Sequence, residues 1–459
     1  QYGITYIRFY RDQTEPEYQK RVTGTSIYVV VGIAAVVALA LVLLQKPLAG
    51  LLFDTADSSH YIALAGLRYL LEMAFVVPFL YFQATEQPGK YVAISATRLA
   101  LTLSLNILFL TMMDDKVAAV LWAQIVSAGV FVLSVGVAVF WRSVRRIHWP
   151  LAKEILKFTW SFSILGLFTF IIFSGDRFVI NEYCGSGEVG IYSAGYRIAQ
   201  ILSVLIFSPV LRAWSPRIVD TLRSPEGPRQ LAQLTTFTMV AYAACGVVFS
   251  VYARELVGII VGPTYFACYT IVPILVLGHG FQGFGSLVDG GIYYSKKTYI
   301  KNWHALTTAV SIAFYFLLIP HFCKLGAAWA STLGFLFLAV LNWYLSIRVY
   351  PMKFELGKLA RLTLLSIAVY LAAYGIESYE ATHLALSSVA LKLISPWLYL
   401  LTIGLVKLLL LPAFVGGVFA LRILGAEDWQ RLRRMADELL RKRPAKPEPT
   451  TTSDPEIGY

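Results

Sequence analysis

Twelve apolar runs, most about 20 residues long, set the terms for this chain. They fall near 23–44, 61–82, 92–113, 117–140, 158–180, 190–212, 235–253, 268–292, 303–320, 327–347, 360–376 and 394–421, after an apolar stub at about 1–8. A helix of about 20 residues crosses roughly 30 Å of hydrocarbon. Helix is the expected state because unpaired backbone cannot face lipid. Only 14% of the 459 residues are charged and 57% are hydrophobic, far from the ~25% charge of a soluble domain. The expected fold class is therefore an all-α polytopic membrane protein. The net charge of +12 does not point to nucleic acid, because the basic residues sit in short links between apolar runs.

Those links alternate in charge. The rich set holds Arg8, Arg11, Lys20 and Arg21; Lys90; Arg142, Arg145, Arg146, Lys153 and Lys157; Arg212, Arg217, Arg223 and Arg229; Lys296, Lys297 and Lys301; Arg348, Lys353, Lys358 and Arg361; and the C-terminal tail. The intervening links hold only Lys46, Lys116, Arg254, Lys324 and Lys392. The positive-inside rule places the rich set, and the C-terminus, in the cytoplasm.

A shift of about 208 residues lays one half on the other. Pro16-Glu17 with Lys20 falls on Pro225-Glu226 with Arg229. Asp12 falls on Asp220, Tyr91 on Tyr299, and Lys116 through Ala119 on Lys324 through Ala327. The shift covers six helices, so the copies share one orientation. Such parallel repeats bind substrate between their halves. The expected division is an N-terminal lobe at 1–157 (a stub of helix 2 through helix 6) and a C-terminal lobe at 158–348 (helices 7–12). Two extra helices follow at 349–421, then a tail at 422–459. Because the chain begins at Gln1 within an apolar segment, the repeat predicts that it is N-terminally truncated and that the complete protein has about fourteen helices. In the tail, Trp429, Leu432, Met435, Leu439 and Leu440 share one face among arginines, as in an interfacial helix on an anionic leaflet. From Pro444 the composition predicts disorder.

Intramembrane charge is sparse, and such residues usually face a protein interior or a water-filled cavity. Arg68 and Glu72 lie four apart on one helix face and can pair, either to neutralise each other or to line a cavity. Arg98 has no carboxylate at helical spacing and is expected on a cavity wall. Asp176-Arg177 is either an interfacial pair or, with Arg197 on the next helix, part of one cavity. These six are the candidate substrate-binding residues. Guanidinium groups stay protonated and bind phosphate or carboxylate bidentately, so they predict an anionic substrate. Tyr192, Tyr196, Tyr293, Tyr294 and Trp303 are weaker candidates for stacking on sugars. His279, within GHGFQGFG among glycines expected to loosen the helix, and Asp289, near a cytoplasmic helix end, are the ion-coupling candidates. Lys407 is expected in the groove between the last two helices or at an interface.

The four cysteines, Cys184, Cys245, Cys268 and Cys323, show no ligand spacing and read as small core residues. There is no P-loop, no metal motif and no link longer than about 25 residues to house a soluble catalytic domain. A transporter without cofactors is expected, with coupling to a proton or sodium gradient open. Asp114-Asp115 lies in a short outer link, away from cytoplasmic nucleotide sugars.

Asp176-Arg177-Phe178, followed by Glu188-Val189-Gly190-Ile191-Tyr192-Ser193-Ala194-Gly195-Tyr196-Arg197, resembles the seventh-to-eighth helix region of bacterial polysaccharide flippases. These form the Wzx-type, O-antigen/oligosaccharide branch of the multidrug/oligosaccharidyl-lipid/polysaccharide exporter superfamily. Arg8-Phe9-Tyr10 with the link to Arg21 is similar to the segment after that family's second helix, and Ala213-Trp214-Ser215-Pro216 to the end of its eighth. The resemblance implies two six-helix lobes in a V and alternating access. It implies movement of an undecaprenyl-pyrophosphate-linked repeat unit to the outer leaflet of a bacterial inner membrane, for O-antigen or exopolysaccharide. Membrane lipids, a polysaccharide polymerase and chain-length machinery are the implied partners. A cation-coupled multidrug exporter of the same superfamily, a flippase for the peptidoglycan precursor, and a non-transporting scaffold of a polysaccharide assembly are the alternatives.

Overall fold

A computed structural model describes residues 2–13, 15–53, 58–144, 146–214, 226–289, 303–349, 354–383, 407–421 and 423. The tail at 424–459, with its amphipathic segment, lies outside the described residues, as do Arg145, Arg217, Asp220, Arg223, Tyr293, Tyr294, Lys296, Lys297, Lys301, Lys353 and Lys392. Every regular element among the described residues is helical. The chain is a multi-pass, all-α membrane protein. Eight of its described helices are long and apolar enough to cross a membrane, nine if one bent pair is counted as a single span.

The chain divides into two compact units, Gln1–Leu167 and Phe168–Tyr459. Unit 1 holds α1 (Tyr2–Asp12), α2 (Pro16–Leu43), α3 (Gln45–Phe53), α4 (Ser59–Ala84), α5 (Pro88–Met112) and α6 (Lys116–Phe131). A π-helical turn, Val132–Gly136, joins α6 to α7 (Val137–Trp141). Helix α8 (Trp149–Cys184) begins in unit 1 and ends in unit 2. Prolines at the first turns of α2 and α5 cost nothing, because those N–H groups have no helical partner. The core of unit 1 gathers Tyr6, Tyr10, Val22, Ile27, Val77, Leu151 and Ile155. Tyr6 and Thr23 pair their polar groups inside it. Tyr6 Oη and Thr23 Oγ1 lie 3.0 Å apart, and the Thr23 hydroxyl also donates to the Gln19 carbonyl. Gly24 permits the tightest approach: a Cβ there would lie 2.1 Å from the Val144 carbonyl oxygen.

At the end of unit 1 that the charge pattern assigns to the outside, Asp115 caps α6. Its Oδ1 accepts from the N–H groups of Val117 and Ala118, and its Oδ2 from the Tyr61 hydroxyl at 2.7 Å. The Ala118 N–H first, then the Tyr61 hydroxyl, hold this carboxyl below its ordinary range.

Unit 2 continues with α9 (Ser186–Trp214), α10 (Gly227–Val251), α11 (Ala253–Ile260), a 3-10 helix at Pro263–Thr270, α12 (Val272–Val288), α13 (His304–Val349), α14 (Leu356–His383) and α15 (Leu410–Ala420). The 3-10 helix and α12 meet at a 58° bend. Helix α12 is the hub. Its glycines, expected to loosen the helix, instead let neighbours close in on several sides. A Cβ at Gly278 would meet Thr332, at Gly280 Tyr242, at Gly283 the Phe207 ring, and at Gly285 Ala339. Missing side chains here are room for packing, which apolar periodicity alone did not separate from weakness.

The runs at 303–320 and 327–347 are the two halves of α13, broken at Cys323 (φ 45°, ψ −122°). Cys323 was expected to be a core residue. It is joined instead to Cys184 by a disulfide that bridges 139 positions, with Cα atoms 5.9 Å apart. Their distance in sequence hid the meeting of the α8 end with the break in α13. Beside the disulfide, Lys324 Nζ donates to both carboxylate oxygens of Glu188, at 2.9 and 3.1 Å. Cys268 is buried, as read, and Cys245 is exposed.

Candidate functional site

The residues that define the site sit on two consecutive helices of unit 2. On α8, Phe173 and Arg177 are four apart. On α9, Ser193, Tyr196, Arg197 and Gln200 recur at three- and four-residue spacing and so share one face. With Ser174 these side chains line a pocket of about 250 Å³. Arg177 and Arg197 both line it.

Asp176 does not line that pocket. It is fully buried, and both of its oxygens are engaged. Oδ1 accepts from the Arg177 backbone N–H at 2.9 Å and from Arg177 Nη1 at 3.0 Å. Oδ2 accepts from the Tyr192 hydroxyl and from Ser331 Oγ at 3.0 Å. Arg177 Nη1 also donates to the Phe173 carbonyl at 2.9 Å. The guanidinium carbon lies 4.6 Å from the Tyr196 ring centroid and 5.5 Å from that of Tyr192. Arg177 is therefore gripped on both sides, by a carboxylate and by aromatic faces. Arg197 is exposed and makes no ion pair among the described residues. It leaves the pocket with a net positive charge.

Tyr192 is fully buried and does not line the pocket, whereas Tyr196, also buried, does; Trp303 is exposed. His279 is buried against Tyr196, with ring centroids 4.9 Å apart, and against Phe335 at 5.6 Å. Its Nδ1 lies 3.3 Å from Gln282 Oε1. Asp289 is a buried residue just past the end of α12.

In unit 1 the pairing differs from expectation. Glu72 bonds not to Arg68 but to Arg98, across from α4 to α5. Arg98 thereby gains the carboxylate that its own helix lacks, and its guanidinium lies 4.9 Å from the Phe75 ring centroid. Arg68 is exposed. Helical spacing allowed Arg68 to reach Glu72; the neighbouring helix offered a partner already held over an aromatic ring.

Ser331 and Glu255 escaped the sequence reading. Ser331 is one small polar residue in an alanine-rich run, and only folding brings it to Asp176. Glu255, in an outer link, takes the fully buried Lys407, with Nζ 2.7 Å from Oε1. This pair fastens the segment leading into α15 to α11.

A second cavity in unit 2, of about 210 Å³, is lined almost wholly by apolar side chains, among them Val247, Leu277, Phe281, Trp329 and Leu362.

Residues 3–222 match the family model described as polysaccharide biosynthesis protein. Every segment on which the flippase resemblance rested lies within that range, and the resemblance is met. No match was found among curated proteins. Among solved structures, the lipid II flippase MurJ in an inward closed conformation aligns with a TM-score of 0.69 at 12% identity, over 90% of this chain and 86% of that one. A mutant of the MATE transporter VcmN from Vibrio cholerae aligns with a TM-score of 0.54 at 18% identity, over 76% and 83%. A MOP superfamily transporter from Pyrococcus furiosus, described by a reverse polarity of its binding pocket, gives 0.56 at 13% identity, over 76% and 82%. At these identities the likeness shows the fold, that of all-helical membrane transporters and flippases.

Proposed function

We propose that this chain is a lipid-linked oligosaccharide flippase. In this reading it carries an undecaprenyl-pyrophosphate-linked repeat unit from the cytoplasmic to the outer leaflet of a bacterial inner membrane. No bond is made or broken, and the cycle is alternating access driven by different affinities of the loaded and empty states. The observation that carries the reading is the pocket holding both Arg177 and Arg197 inside a membrane protein. Two guanidinium groups suit a pyrophosphate or an acidic sugar. They disfavour an organic cation, the cargo expected of a drug exporter. The apolar cavity suits a hydrocarbon chain, which a lipid-linked substrate brings and a free sugar does not.

Glu72 and Arg98 are read as a second, weaker anion contact in unit 1, with Arg68 beside them. Coupling to a proton or sodium gradient belongs to this reading through His279 or Asp289. The orientation draws support from the cysteines. Cys184 and Cys323 lie in links that the charge pattern puts outside, where a disulfide persists.

The test is deletion followed by mass analysis of lipid-linked sugars. Complete repeat units should accumulate on the cytoplasmic leaflet. An unchanged pool, or transport of ethidium by the purified protein, would turn the assignment toward a scaffold or a drug exporter.

A further inference from the structure

Arg177 and Arg197 line one pocket but are held in opposite ways, and the difference assigns roles to residues that do not touch the pocket. Asp176 has no surface to offer a ligand. Four donors already fill it: the Arg177 N–H, Arg177 Nη1, the Tyr192 hydroxyl and Ser331 Oγ. Tyr192 is equally buried, and its hydroxyl also lies 3.1 Å from Ser331 Oγ. A carboxylate in this state has no free lone pair directed at a substrate or a cation. What it does have is a fixed grip on one face of the Arg177 fork, while Tyr196 lies against the guanidinium at 4.6 Å.

We propose that Asp176, Tyr192 and Ser331 are positioning residues. They hold the Arg177 guanidinium at one angle in the pocket, and the ligand meets Arg177 and Arg197, never Asp176. The two arginines then divide the work. Arg197, exposed and unneutralised, supplies long-range attraction to an anion. Arg177, whose charge is balanced by Asp176, supplies a preorganised pair of donors. Preorganisation raises affinity by removing the ordering cost at the moment of binding. Ser331 lies on the second half of α13, so the orientation of Arg177 depends on three helices and not only on the two that carry the pocket.

The inference rests on the reading of this pocket as an anion site, and the experiment separates the two. The full chain in lipid nanodiscs is titrated with farnesyl pyrophosphate, a short polyprenyl pyrophosphate, in Asp176→Asn, Tyr192→Phe, Arg177→Ala, Arg197→Ala and paired variants. Arg177→Ala and Asp176→Asn should each weaken binding about tenfold, the scale of one charge-assisted hydrogen bond. Asp176→Asn combined with Arg177→Ala should bind no more weakly than Arg177→Ala alone, because a residue acting only through Arg177 has nothing left to position. The loss in Arg197→Ala should fade as salt rises, and the loss in Arg177→Ala should persist. Tyr192→Phe, which keeps the ring and removes one donor, carries the same cycle if Asp176→Asn does not fold. Losses that add in the paired variants, or binding unaffected by both Asp176→Asn and Tyr192→Phe while Arg177→Ala weakens it, would overturn the positioning role and leave the anion site standing. Wild-type binding in both arginine variants would remove the anion site itself.

Discussion

Each unit of the chain sets an arginine against a carboxylate within the apolar zone, and the two settings are unlike. In unit 1, Glu72 and Arg98 come from different helices, and their side chains keep 36% and 25% of their surface. In unit 2, Asp176 and Arg177 are sequence neighbours, and the carboxylate keeps 1%. The first pair is a local neutralisation that remains in reach of its surroundings. The second is a closed network in which every lone pair of the carboxylate has a use. An exposed ion pair contributes little net stability, and a buried one punishes the loss of either member. The same two residue types are therefore set in different surroundings: one pair stays partly exposed, and the other is closed around its carboxylate.

The two pairs should differ most in what the loss of the carboxylate does. Asp176→Ala strands Arg177, Tyr192 and Ser331 without their acceptor and should cost on the order of 3–5 kcal/mol, read as a large fall in the thermal unfolding midpoint in detergent. The equivalent change in unit 1, Glu72→Ala, should cost about 1 kcal/mol or less. Equal losses at the two positions would mean that burial does not distinguish the pairs.

The smallest effect lies at the α6 cap. Asp115 has a folded-state pKa below its unfolded value. Its contribution is therefore complete above the unfolded value, about 3.9 for an ordinary aspartate, and is lost as pH falls toward the folded one. The gap in unfolding midpoint between wild type and Asp115→Ala should be a few degrees at neutral pH and should close in acid. A gap that held constant with pH would show that the charge of Asp115 is irrelevant to the cap.

Much of this was legible before folding. Apolar run length fixed the helical membrane class, because hydrocarbon admits few other backbones. The sequence left Asp176-Arg177 open between an interfacial pair and a cavity shared with Arg197, and only the folded α8 and α9 bring Arg177 and Arg197 to one pocket. What local periodicity cannot carry is the choice among partners on other helices. Arg68 had a carboxylate at helical spacing and did not take it, because Glu72 turned to Arg98. Cys184 and Cys323 looked like small core residues because 139 positions separate them. The glycines of α12 looked like weak points, and only the rings of Phe207 and Tyr242 against them show that they are contact surfaces. Ser331 carried no signal at all, since its role exists only through Asp176.

The proposed function has an anionic, lipid-linked cargo cross the membrane by way of Arg177 and Arg197. It is tested most directly in proteoliposomes loaded with a polyprenyl-pyrophosphate-linked oligosaccharide, by following its appearance on the opposite leaflet. The wild-type chain should translocate it and the Arg177→Ala/Arg197→Ala chain should not, with both proteins equally folded. Translocation at an unchanged rate in that double variant would contradict it.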